Sequence, residues 1–443
     1  MMSAMSAGFR PAAPRRLSSS GLRYLAAALA GLALTVVPSG AGHASGATTA
    51  SSTGTASTTG TANTSDSRPV RVSAWSPGMT TGGPSFTDQT IRMVAHSSVA
   101  GSDARITLSN RYSSNPLTVA AVDIAVQDSG GNAIRGTTRT ATFGQSALVT
   151  VPAGQEAVSD VIPVSVTAGE NLLVSIYVPG PTGTSTWHSD AFDRTYLASG
   201  NHVGDDTAAA FGSTTTSWYY LSGLDLVATT AKGTVVAFGD SITDGYNSSV
   251  STYSRWPDFL ARRLSAGPGP QKLGVVDAGI GGNRVLTDVP NLWQGVSALK
   301  RFEHDALGRP GVRDVILLEG INDIGNNAGP NGTPLTAQDL INGYRTLINE
   351  AHAAHVRIIG ATLLPIQGNG YYTPTAETLR QTINQWIRSS GAFDGVIDFD
   401  QAMRDPNNIA DLNPVYDSGD HLHPNDTGMQ ALADTVDLGL LRS

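Results

Sequence analysis

The stretch Val236-Ala237-Phe238-Gly239-Asp240-Ser241-Ile242-Thr243-Asp244-Gly245 decides how the second half of this chain is interpreted. Its apolar beginning continues a run that starts at Thr234 and is typical of a buried strand. Ser241 follows the strand directly, beside Gly239, where its hydroxyl would stand exposed as a nucleophile. A serine at this place is equally typical of a helix N-cap, so this stretch alone leaves both interpretations open.

The same stretch begins an alternation of apolar strands and helical patterns that continues to the end of the chain. Buried strands separated by helices predict an α/β fold with a parallel five-stranded sheet covered on both faces. The predicted strands are Thr234–Phe238, Leu273–Asp277, Asp314–Leu318, Arg357–Leu363 and Gly395–Phe399. The predicted helices are Arg255–Leu264, Val296–Asp305, Ala337–Ala354, Ala376–Ser389 and Asp426–Val436. In such sheets the chemistry lies beyond the carboxyl ends of the strands.

Two further strand ends carry residues suited to binding a negative charge. Gly281-Gly282-Asn283 follows the second predicted strand, and Gly320-Ile321-Asn322-Asp323 follows the third. A glycine presents its backbone N–H without obstruction and an asparagine offers its side-chain amide, and both groups stabilise an oxyanion. Both segments are also ordinary turn sequences, so each interpretation stays open by itself.

The fourth candidate segment is Asp417-Ser418-Gly419-Asp420-His421-Leu422-His423-Pro424-Asn425. Asp420 and His423 are three residues apart, and one turn of helix-like backbone would place the carboxylate against imidazole Nδ1. That bond would leave Nε2 free to take a proton from a serine. Two histidines and two aspartates this close together are also compatible with a zinc site, and this alternative stays open.

Together and in this order, the four segments resemble the sequence blocks of the SGNH hydrolase family, also called the GDSL esterases. The resemblance extends from Lys232 to Ser443, with Ile242 at the place where the family usually has leucine. It implies a three-layer α/β/α sandwich with a flavodoxin-like parallel sheet.

The same resemblance assigns roles to particular residues. It implies that Ser241 is the nucleophile, with Asp420 and His423 completing a catalytic triad. It implies an oxyanion hole made by the N–H groups of Ser241 and Gly282 and by the side chain of Asn322. This chemistry is carried by side chains and backbone alone, so no cofactor and no metal is expected.

The preceding region, residues 68–229, has a different pattern. Short runs alternate apolar and polar residues, and hairpin signals such as Asp128-Ser129-Gly130-Gly131-Asn132 separate them. The predicted strands are Thr90–Ala95, Ala104–Leu108, Thr118–Val126, Ala147–Val151, Val161–Val166 and Asn171–Val178. An all-β sandwich or jelly-roll domain is therefore predicted.

A very short link, Ala228-Thr229-Thr230-Ala231-Lys232-Gly233, joins this region to the SGNH-like region, residues 232–443. So short a link does not let two domains move freely, and we expect them to pack together, with the β-sandwich adjoining the substrate cleft. His188 beside Trp187 is interpreted as part of a strand surface, with contact to a ligand as the alternative.

Residues 1–44 have the layout of a secretory signal peptide. Arginines up to Arg23 precede an apolar run from Tyr24 to Val37, and Ala41-Gly42-His43-Ala44 offers a small-residue cleavage site. The run is short for a membrane span, so secretion without stable membrane insertion is predicted, with an uncleaved anchor as the alternative. Residues 45–67 are almost all Ser, Thr, Gly, Ala and Asn and are predicted to be a disordered linker.

The composition of the 443-residue chain excludes several classes of function. A formal charge of −8 with 14% charged residues provides no basic stripe for nucleic acid. The sequence has no cysteine, which excludes disulfides, zinc–thiolate sites and cysteine nucleophiles.

The predicted function is ester hydrolysis by a secreted, monomeric serine enzyme acting on a small ester or an acylated polysaccharide. Secretion and an attached β-sandwich favour a carbohydrate esterase that removes acetyl or other short acyl groups. The two-domain arrangement also resembles secreted bacterial acetylxylan-esterase-like members of the family. A lipase or broad carboxylesterase is the first alternative, and a glycan-binding wall protein with a decayed active site is the second.

Overall fold

The computed structural model describes residues 70–267, 272–289 and 291–441. They fall within one compact unit, Asp66–Ser443. The predicted signal peptide (residues 1–44) and linker (residues 45–67) lie outside the described residues and stay predictions. Two large clusters of buried apolar side chains organise the unit, one before residue 232 and one after it.

The first region, called here the strand-rich region (residues 70–231), consists of strands and loops throughout. Its strands, in chain order, are β1 Arg71–Trp75, β2 Thr80–Gly83, β3 Gln89–His96, β4 Gly101–Ser109, β5 Leu117–Val119, β6 Ala121–Ser129, β7 Asn132–Ala133, β8 Arg139–Thr140, β9 Val149–Val151, β10 Glu156–Val158, β11 Ile162–Val166, β12 Asn171–Val178, β13 Ser185–His188, β14 Thr195–Ser199, β15 Ser213–Thr215, β16 Trp218–Tyr219 and β17 Leu221–Ala228.

These strands pair into antiparallel sheets. A five-stranded sheet has the order β1-β17-β4-β10 with β11 paired to β4, and a seven-stranded sheet has the order β15-β14-β3-β12-β6-β7 with β8 paired to β6. A three-stranded sheet, β16-β13-β2, and the pair β5-β9 complete the region. The predicted β-rich character is therefore confirmed, while the finer prediction of a sandwich or jelly roll stays a prediction.

The alternating pattern of the sequence is reproduced in the pairing of β3 with β12. Alternate residues of the two strands stand opposite each other: Ile91 with Ile176, Met93 with Val174 and Ala95 with Leu172. All of them are buried in one apolar cluster that also receives Ile106 and Leu224 from the five-stranded sheet. The period of two thus places a whole row of side chains in the core.

One predicted strand, Thr118–Val126, is wrong as a single element. β5 pairs with β9, whereas β6 pairs with β12. The chain changes partner at Ala120, whose N–H donates to the carbonyl of Tyr177 at 2.9 Å. The sequence did not indicate the break because apolar residues continue through it.

The second region, called here the α/β region (residues 232–441), contains the predicted parallel sheet. Its strands are β18 Thr234–Gly239, β19 Gly274–Gly279, β20 Val312–Leu318, β21 Arg357–Ala361 and β22 Gly395–Ile397, followed by the hairpin β23 Arg404–Asp405 and β24 Asn408–Leu412. The sheet order β19-β18-β20-β21-β22 is parallel throughout. The α/β fold with a parallel five-stranded sheet is therefore confirmed.

Helices follow the strands of this sheet. They are α1 Ser241–Asp244, α2 Trp256–Ala266, α3 Ala298–Phe302, α4 Ile321–Gly325, α5 Ala337–Ala353, α6 Pro374–Ser389, α7 Phe399–Met403 and α8 Asp426–Thr435. The predicted helix Val296–Asp305 is divided between α3 and a π-helical turn, Glu303–Leu307, and short 3₁₀ turns occupy Leu292–Gln294, Pro330–Gly332 and Leu438–Leu440. The helices form two groups: α2 and α7 contact α8, and α5 contacts α3 and α6.

Local sequence determines several helix starts. Thr336 caps α5 by accepting the Asp339 N–H, and the Asp339 carboxylate accepts the Thr336 N–H in return. Pro257 stands in the first turn of α2, where a missing N–H removes no helical hydrogen bond. In the parallel sheet β18 lies between β19 and β20, so the carboxyl ends of these three strands are adjacent.

The strand-rich region packs against the α/β region, as the short link between them predicts. The Ser73 N–H of β1 donates to Thr234 Oγ1 at 3.1 Å and to the Pro310 carbonyl at 3.0 Å. The Ser98 hydroxyl accepts the Val275 N–H of β19 at 3.1 Å. β1 and β19 therefore lie next to each other although they belong to different sheets.

Candidate active site

Ser241 lies where the sequence predicts it, directly after β18 and at the first position of α1. The N-cap of α1 is Asp240, whose carboxylate accepts the Ile242 N–H at 3.0 Å. The capping role that the sequence left open for Ser241 therefore belongs to its neighbour. The Ser241 N–H is among the first of the helix, which have no acceptor within it, and the residue lines an open cleft.

The segment between β24 and α8 brings His423 and Asp420 to Ser241. Nε2 of His423 lies 2.8 Å from Ser241 Oγ, and Nδ1 lies 2.6 Å from Asp420 Oδ2. Because an ionised carboxylate only accepts hydrogen bonds, the proton of the neutral imidazole belongs on Nδ1, and Nε2 is left to accept the serine proton. The structure thus brings together the three side chains predicted as a triad.

The backbone of this segment is not the helix-like turn that the spacing suggested. It is a run of turns and bends closed by a bridge between Asp417 and Pro424, with His421 at φ 61°. Oδ1 of Asp420 accepts the N–H groups of Leu422 at 3.0 Å and of His423 at 2.8 Å. The Asp420 side chain therefore folds the turn that carries its own imidazole partner.

Asp420 also receives a hydrogen bond from outside this segment. Nδ2 of Asn247 lies 3.0 Å from Asp420 Oδ2 and 2.9 Å from Ser418 Oγ. Partial burial would raise the pKa of Asp420, but the hydrogen bonds and charge of His423 hold it well below its usual range. The carboxylate is therefore ionised against the imidazole at neutral pH.

The zinc alternative required the two Asp–His pairs to face one point. Instead, Asp417 pairs with His421, 2.7 Å from Oδ2 to Nδ1, while Asp420 pairs separately with His423. Among residues 70–267, 272–289 and 291–441, no group of three or more His, Cys, Asp or Glu side chains is arranged to hold a metal ion. The four residues form two separate pairs, and His421 is a neighbour of the site.

Gly282 lies in the turn after β19 and lines the same cleft as Ser241. Its φ of +72° favours glycine, and a Cβ built there would lie 2.1 Å from Nε2 of Gln294. The position therefore disfavours any residue that has a Cβ.

Asn322 lies in the first turn of the short helix α4, beyond the end of β20. Its Nδ2 donates to the carbonyl of Asn283 at 3.0 Å, and its Oδ1 accepts the hydroxyl of Tyr371 at 3.1 Å. These two bonds fix the amide plane and leave the second Nδ2 hydrogen unengaged by either partner. Asn322 lines the cleft together with Ser241 and Gly282, so the three predicted oxyanion donors are brought to one place.

A buried arginine ties together the strand ends that carry these groups. Arg301 donates to the carbonyls of Gly239 at 2.8 Å and Ala278 at 2.7 Å and to Oδ1 of Asn283 at 2.8 Å. It also pairs with the buried Glu319, 3.4 Å from Nη2 to Oε2. Nothing in the helical pattern around Arg301 indicated this role, since a buried arginine and an exposed one have the same sequence signal.

Asp323, the last residue of the third segment, holds a neighbouring loop. It accepts the N–H groups of Val285 at 2.8 Å and Leu286 at 3.1 Å. Complete burial raises its pKa to about 7 in spite of these bonds. Asp323 therefore supports the loop that follows Gly282 and does not itself line the cleft.

The cleft in front of Ser241 has a volume of about 680 Å³ and is lined by both regions of the molecule. The α/β region contributes Tyr246, Trp293, Gln294 and Tyr371 in addition to the residues above. The strand-rich region contributes Trp187, Ser189, Asp190 and Ser217. The strand-rich region thus forms one wall of the cleft.

His188 is not on a strand surface, and that interpretation is wrong. It is 3% exposed, with Nε2 3.0 Å from Asp244 Oδ1 and Nδ1 2.6 Å from the carbonyl of Gly78. Burial alone would lower the pKa of His188, but the charge and hydrogen bond of Asp244 raise it to about 9. A buried ion pair therefore joins β13 to α1, the helix that begins with Ser241. The sequence did not predict this pair, because Asp244 lies 56 residues further along the chain.

No helix among the described ranges is long and apolar enough to cross a membrane.

Residues 237–431 match the model of the GDSL-like lipase/acylhydrolase family. No curated protein matches the chain. Among solved structures, the chain is similar to a putative lipolytic protein of the G-D-S-L family from Desulfitobacterium hafniense, with 21% identity, a TM-score of 0.35, and coverage of 46% of this chain and 96% of that one.

Two further similarities cover nearly the same share of the chain. A GDSL-like lipase from Bacteroides thetaiotaomicron has 20% identity and a TM-score of 0.36, with 47% of this chain and 88% of that chain covered. An acetylxylan esterase from Geobacillus stearothermophilus has 21% identity and a TM-score of 0.35, with 46% of this chain and 92% of that chain covered.

Proposed function

We propose that this ester hydrolase, whose residues 237–431 match the GDSL-like lipase/acylhydrolase family, uses Ser241, His423 and Asp420 to remove short acyl groups from carbohydrate esters. The observation that carries the proposal is the continuous hydrogen-bonded chain from Ser241 Oγ to His423 Nε2, 2.8 Å, and from His423 Nδ1 to Asp420 Oδ2, 2.6 Å.

Acylation begins at the serine hydroxyl. His423 Nε2 takes the proton as Ser241 Oγ attacks the ester carbonyl, and Asp420 stabilises the imidazolium that forms. The imidazolium then gives the same proton to the leaving alcohol, which departs and leaves an acyl-enzyme. Because Asp420 is ionised and held by its own turn, it orients the imidazole without accepting the proton.

The tetrahedral intermediate carries its negative charge on the former carbonyl oxygen. The N–H groups of Ser241 and Gly282 and the free Nδ2 hydrogen of Asn322 are the donors for this oxyanion. Arg301 keeps the strand ends beneath these donors in place by binding the Gly239 and Ala278 carbonyls. A site held in this manner reorganises little as charge develops.

Deacylation repeats the sequence with water as the nucleophile. His423 removes a proton from a water molecule that attacks the acyl-enzyme, and then returns it to Ser241 as the acid product leaves. The cleft has room both for this water and for a leaving alcohol larger than methanol.

The choice of carbohydrate esters rests on the lining of the cleft. Tryptophan and tyrosine side chains line it together with a carboxylate, hydroxyls and a carboxamide. Aromatic faces with a few placed polar groups are suited to a hydroxylated ring. Export by the N-terminal segment and a monomeric state belong to the same proposal and rest on the sequence alone.

Covalent labelling tests the proposal. We expect an organophosphonate to label Ser241, and Ser241→Ala to abolish hydrolysis of aryl acetates while the circular dichroism spectrum is unchanged. Ser265→Ala, an exposed serine on α2, serves as the matched control and should keep full activity. Label recovered on another serine would overturn the assignment. Aryl esters of graded chain length would separate an acetyl esterase from a lipase.

A further inference from the structure

The segment Trp187-His188-Ser189-Asp190 of the strand-rich region is held firmly at the edge of the cleft. The indole of Trp187 donates to the Thr81 carbonyl at 2.8 Å. His188 is bound on both sides, by the Gly78 carbonyl and by Asp244, and its Nε2 also lies 3.2 Å from the Asp190 carbonyl. The Asp190 backbone is therefore fixed relative to α1.

Asp190 and Trp293 both lie close to the turn that carries Gly282, the proposed oxyanion donor. A Cβ on Gly281 would lie 3.3 Å from Asp190 Oδ2 and 3.4 Å from Cζ3 of Trp293. Gly281 precedes Gly282 directly in the chain. A carboxylate from one region and an indole from the other thus both approach the residue before the proposed oxyanion donor.

The Asp190 carboxylate is a hydrogen-bond acceptor that lines the cleft. Its Oδ2 accepts the Ser189 hydroxyl at 2.8 Å, which leaves the carboxylate further lone pairs. Because an ionised carboxylate only accepts hydrogen bonds, a ligand that binds Asp190 must bring donors.

The indole of Trp293 sets the second requirement. It is 41% exposed, which is high for so large an apolar side chain, and it borders the cleft. A flat apolar face beside acceptor atoms suits a ring with C–H groups on its face and hydroxyls at its edge. A sugar ring has this arrangement, whereas an alkyl or aryl alcohol lacks the donors.

We infer that Asp190 and Trp293 form a carbohydrate subsite beside Gly282, in which Asp190 binds free hydroxyl groups of the alcohol or of a neighbouring sugar. This inference rests on the proposed function, because it concerns the specificity of the same esterase reaction. Asp190 lies outside residues 237–431, the range that matches the family model. The strand-rich region therefore contributes to the specificity through Asp190, together with Trp293 of the α/β region.

Two substrates that differ only in their hydroxyl groups test the inference. Mono-O-acetylated xylobiose keeps free hydroxyls, while fully acetylated xylobiose has none. We expect Asp190→Ala to lower kcat/KM for the mono-acetylated relative to the fully acetylated sugar by about 10–100-fold, the usual effect of losing a hydrogen bond to a charged group. Asp190→Asn should have a smaller effect because Oδ1 still accepts, and it guards against a folding defect in the alanine variant.

The matched control is Asp128→Ala, an exposed aspartate of the strand-rich region. It should leave the ratio unchanged. An unchanged ratio in both Asp190 variants would overturn the subsite, even if Ser241 is labelled as expected. Acetylcholine is an acetyl ester whose alcohol is a cation and not a sugar. If the Asp190 variants lost acetylcholine hydrolysis while the ratio for the two sugars stayed unchanged, Asp190 would be assigned to binding a cation and the subsite would be overturned. Failure of Ser241 labelling is a separate result and concerns the proposed function itself.

Discussion

In the α/β region, several polar side chains support the backbone around the proposed catalytic groups without lining the cleft. The strand-rich region, in contrast, lines the same cleft mainly through one segment, residues 187–190. Arg301 and Asp323 bind backbone groups around Gly239 and Val285 and do not line the cleft. Asp190 faces the cleft, and its neighbour His188 is buried against Asp244. The α/β region therefore places the proposed catalytic groups, and the strand-rich region contributes one wall of the cleft in front of them.

The difference implies that substitutions in the two regions affect different measured quantities. Replacing a donor in the α/β region should change kcat, because that donor acts on charge present only in the transition state. Replacing the buried contact of the strand-rich region should change stability first, because it leaves a buried carboxylate without its partner. The following predictions test this division.

The largest expected effect is that of Asn322→Ala. One oxyanion donor is removed, and kcat for an aryl acetate should fall about 10²–10³-fold. KM should change little, since the bond strengthens mainly in the transition state. Steady-state kinetics of the purified variant measure both quantities.

Asn342→Ala provides the control for this prediction, because Asn342 is an exposed asparagine on α5. Its kcat should equal that of the unmodified protein. A near-normal kcat in Asn322→Ala would show that Asn322 is only a turn residue and not an oxyanion donor. It would also contradict the expectation that substitutions in the α/β region act on kcat.

The sequence predicted the α/β region more completely than the strand-rich region, and the reason is physical. Parallel strands buried on both faces are continuous apolar runs, and residues at their ends, such as Ser241 and Asn322, must lie at one edge of the sheet. The spacing of Asp420 and His423 suggested that they meet, and the resemblance to the SGNH hydrolases assigned their roles, but their backbone is a turn folded by Asp420 itself. Side-chain chemistry was thus predictable where local backbone was not.

The strand-rich region shows where such inference ends. Alternation predicted β3 and β12, but it did not predict that β13 pairs with β2, about a hundred residues earlier in the chain, and with β16, about thirty residues later. Sequence alone does not contain that pairing, and without it nothing places His188 against Asp244. Asn247 was missed for the same reason, because its partner Asp420 is far along the chain.

The second prediction concerns the ion pair between the regions. Folding raises the pKa of His188 from 6.5 to about 9, so the folded protein holds its proton more tightly. The stabilisation is fully present below about pH 6.5 and is lost as the pH rises through about 9. A shift of this size corresponds to about 3 kcal/mol in the free energy of unfolding.

By the same linkage, the stability that His188→Gln loses should be about 3 kcal/mol greater at pH 6 than at pH 9.5. Guanidinium unfolding of the variant and the unmodified protein at both pH values measures the difference. His304, whose pKa is raised to about 8 by Asp305 and Glu156 against the effect of burial, is present in both proteins and cancels. His202→Gln, at a more exposed His–Asp pair, is the control. A difference independent of pH would contradict a charged His188.

The smallest expected effect is that of metal removal, which tests whether the two Asp–His pairs next to the cleft bind a metal together. Both oxygens of Asp420 are engaged, Oδ1 by two backbone N–H groups and Oδ2 by His423 and Asn247. A cation would have to displace these bonds and would still find His421 turned toward Asp417. Because a zinc site needs at least three protein ligands converging on one point, we expect prolonged dialysis against a chelator to leave aryl acetate hydrolysis unchanged. Loss of activity that added zinc restores would assign the Asp417–His423 segment to a metal and would leave Ser241 without its general base.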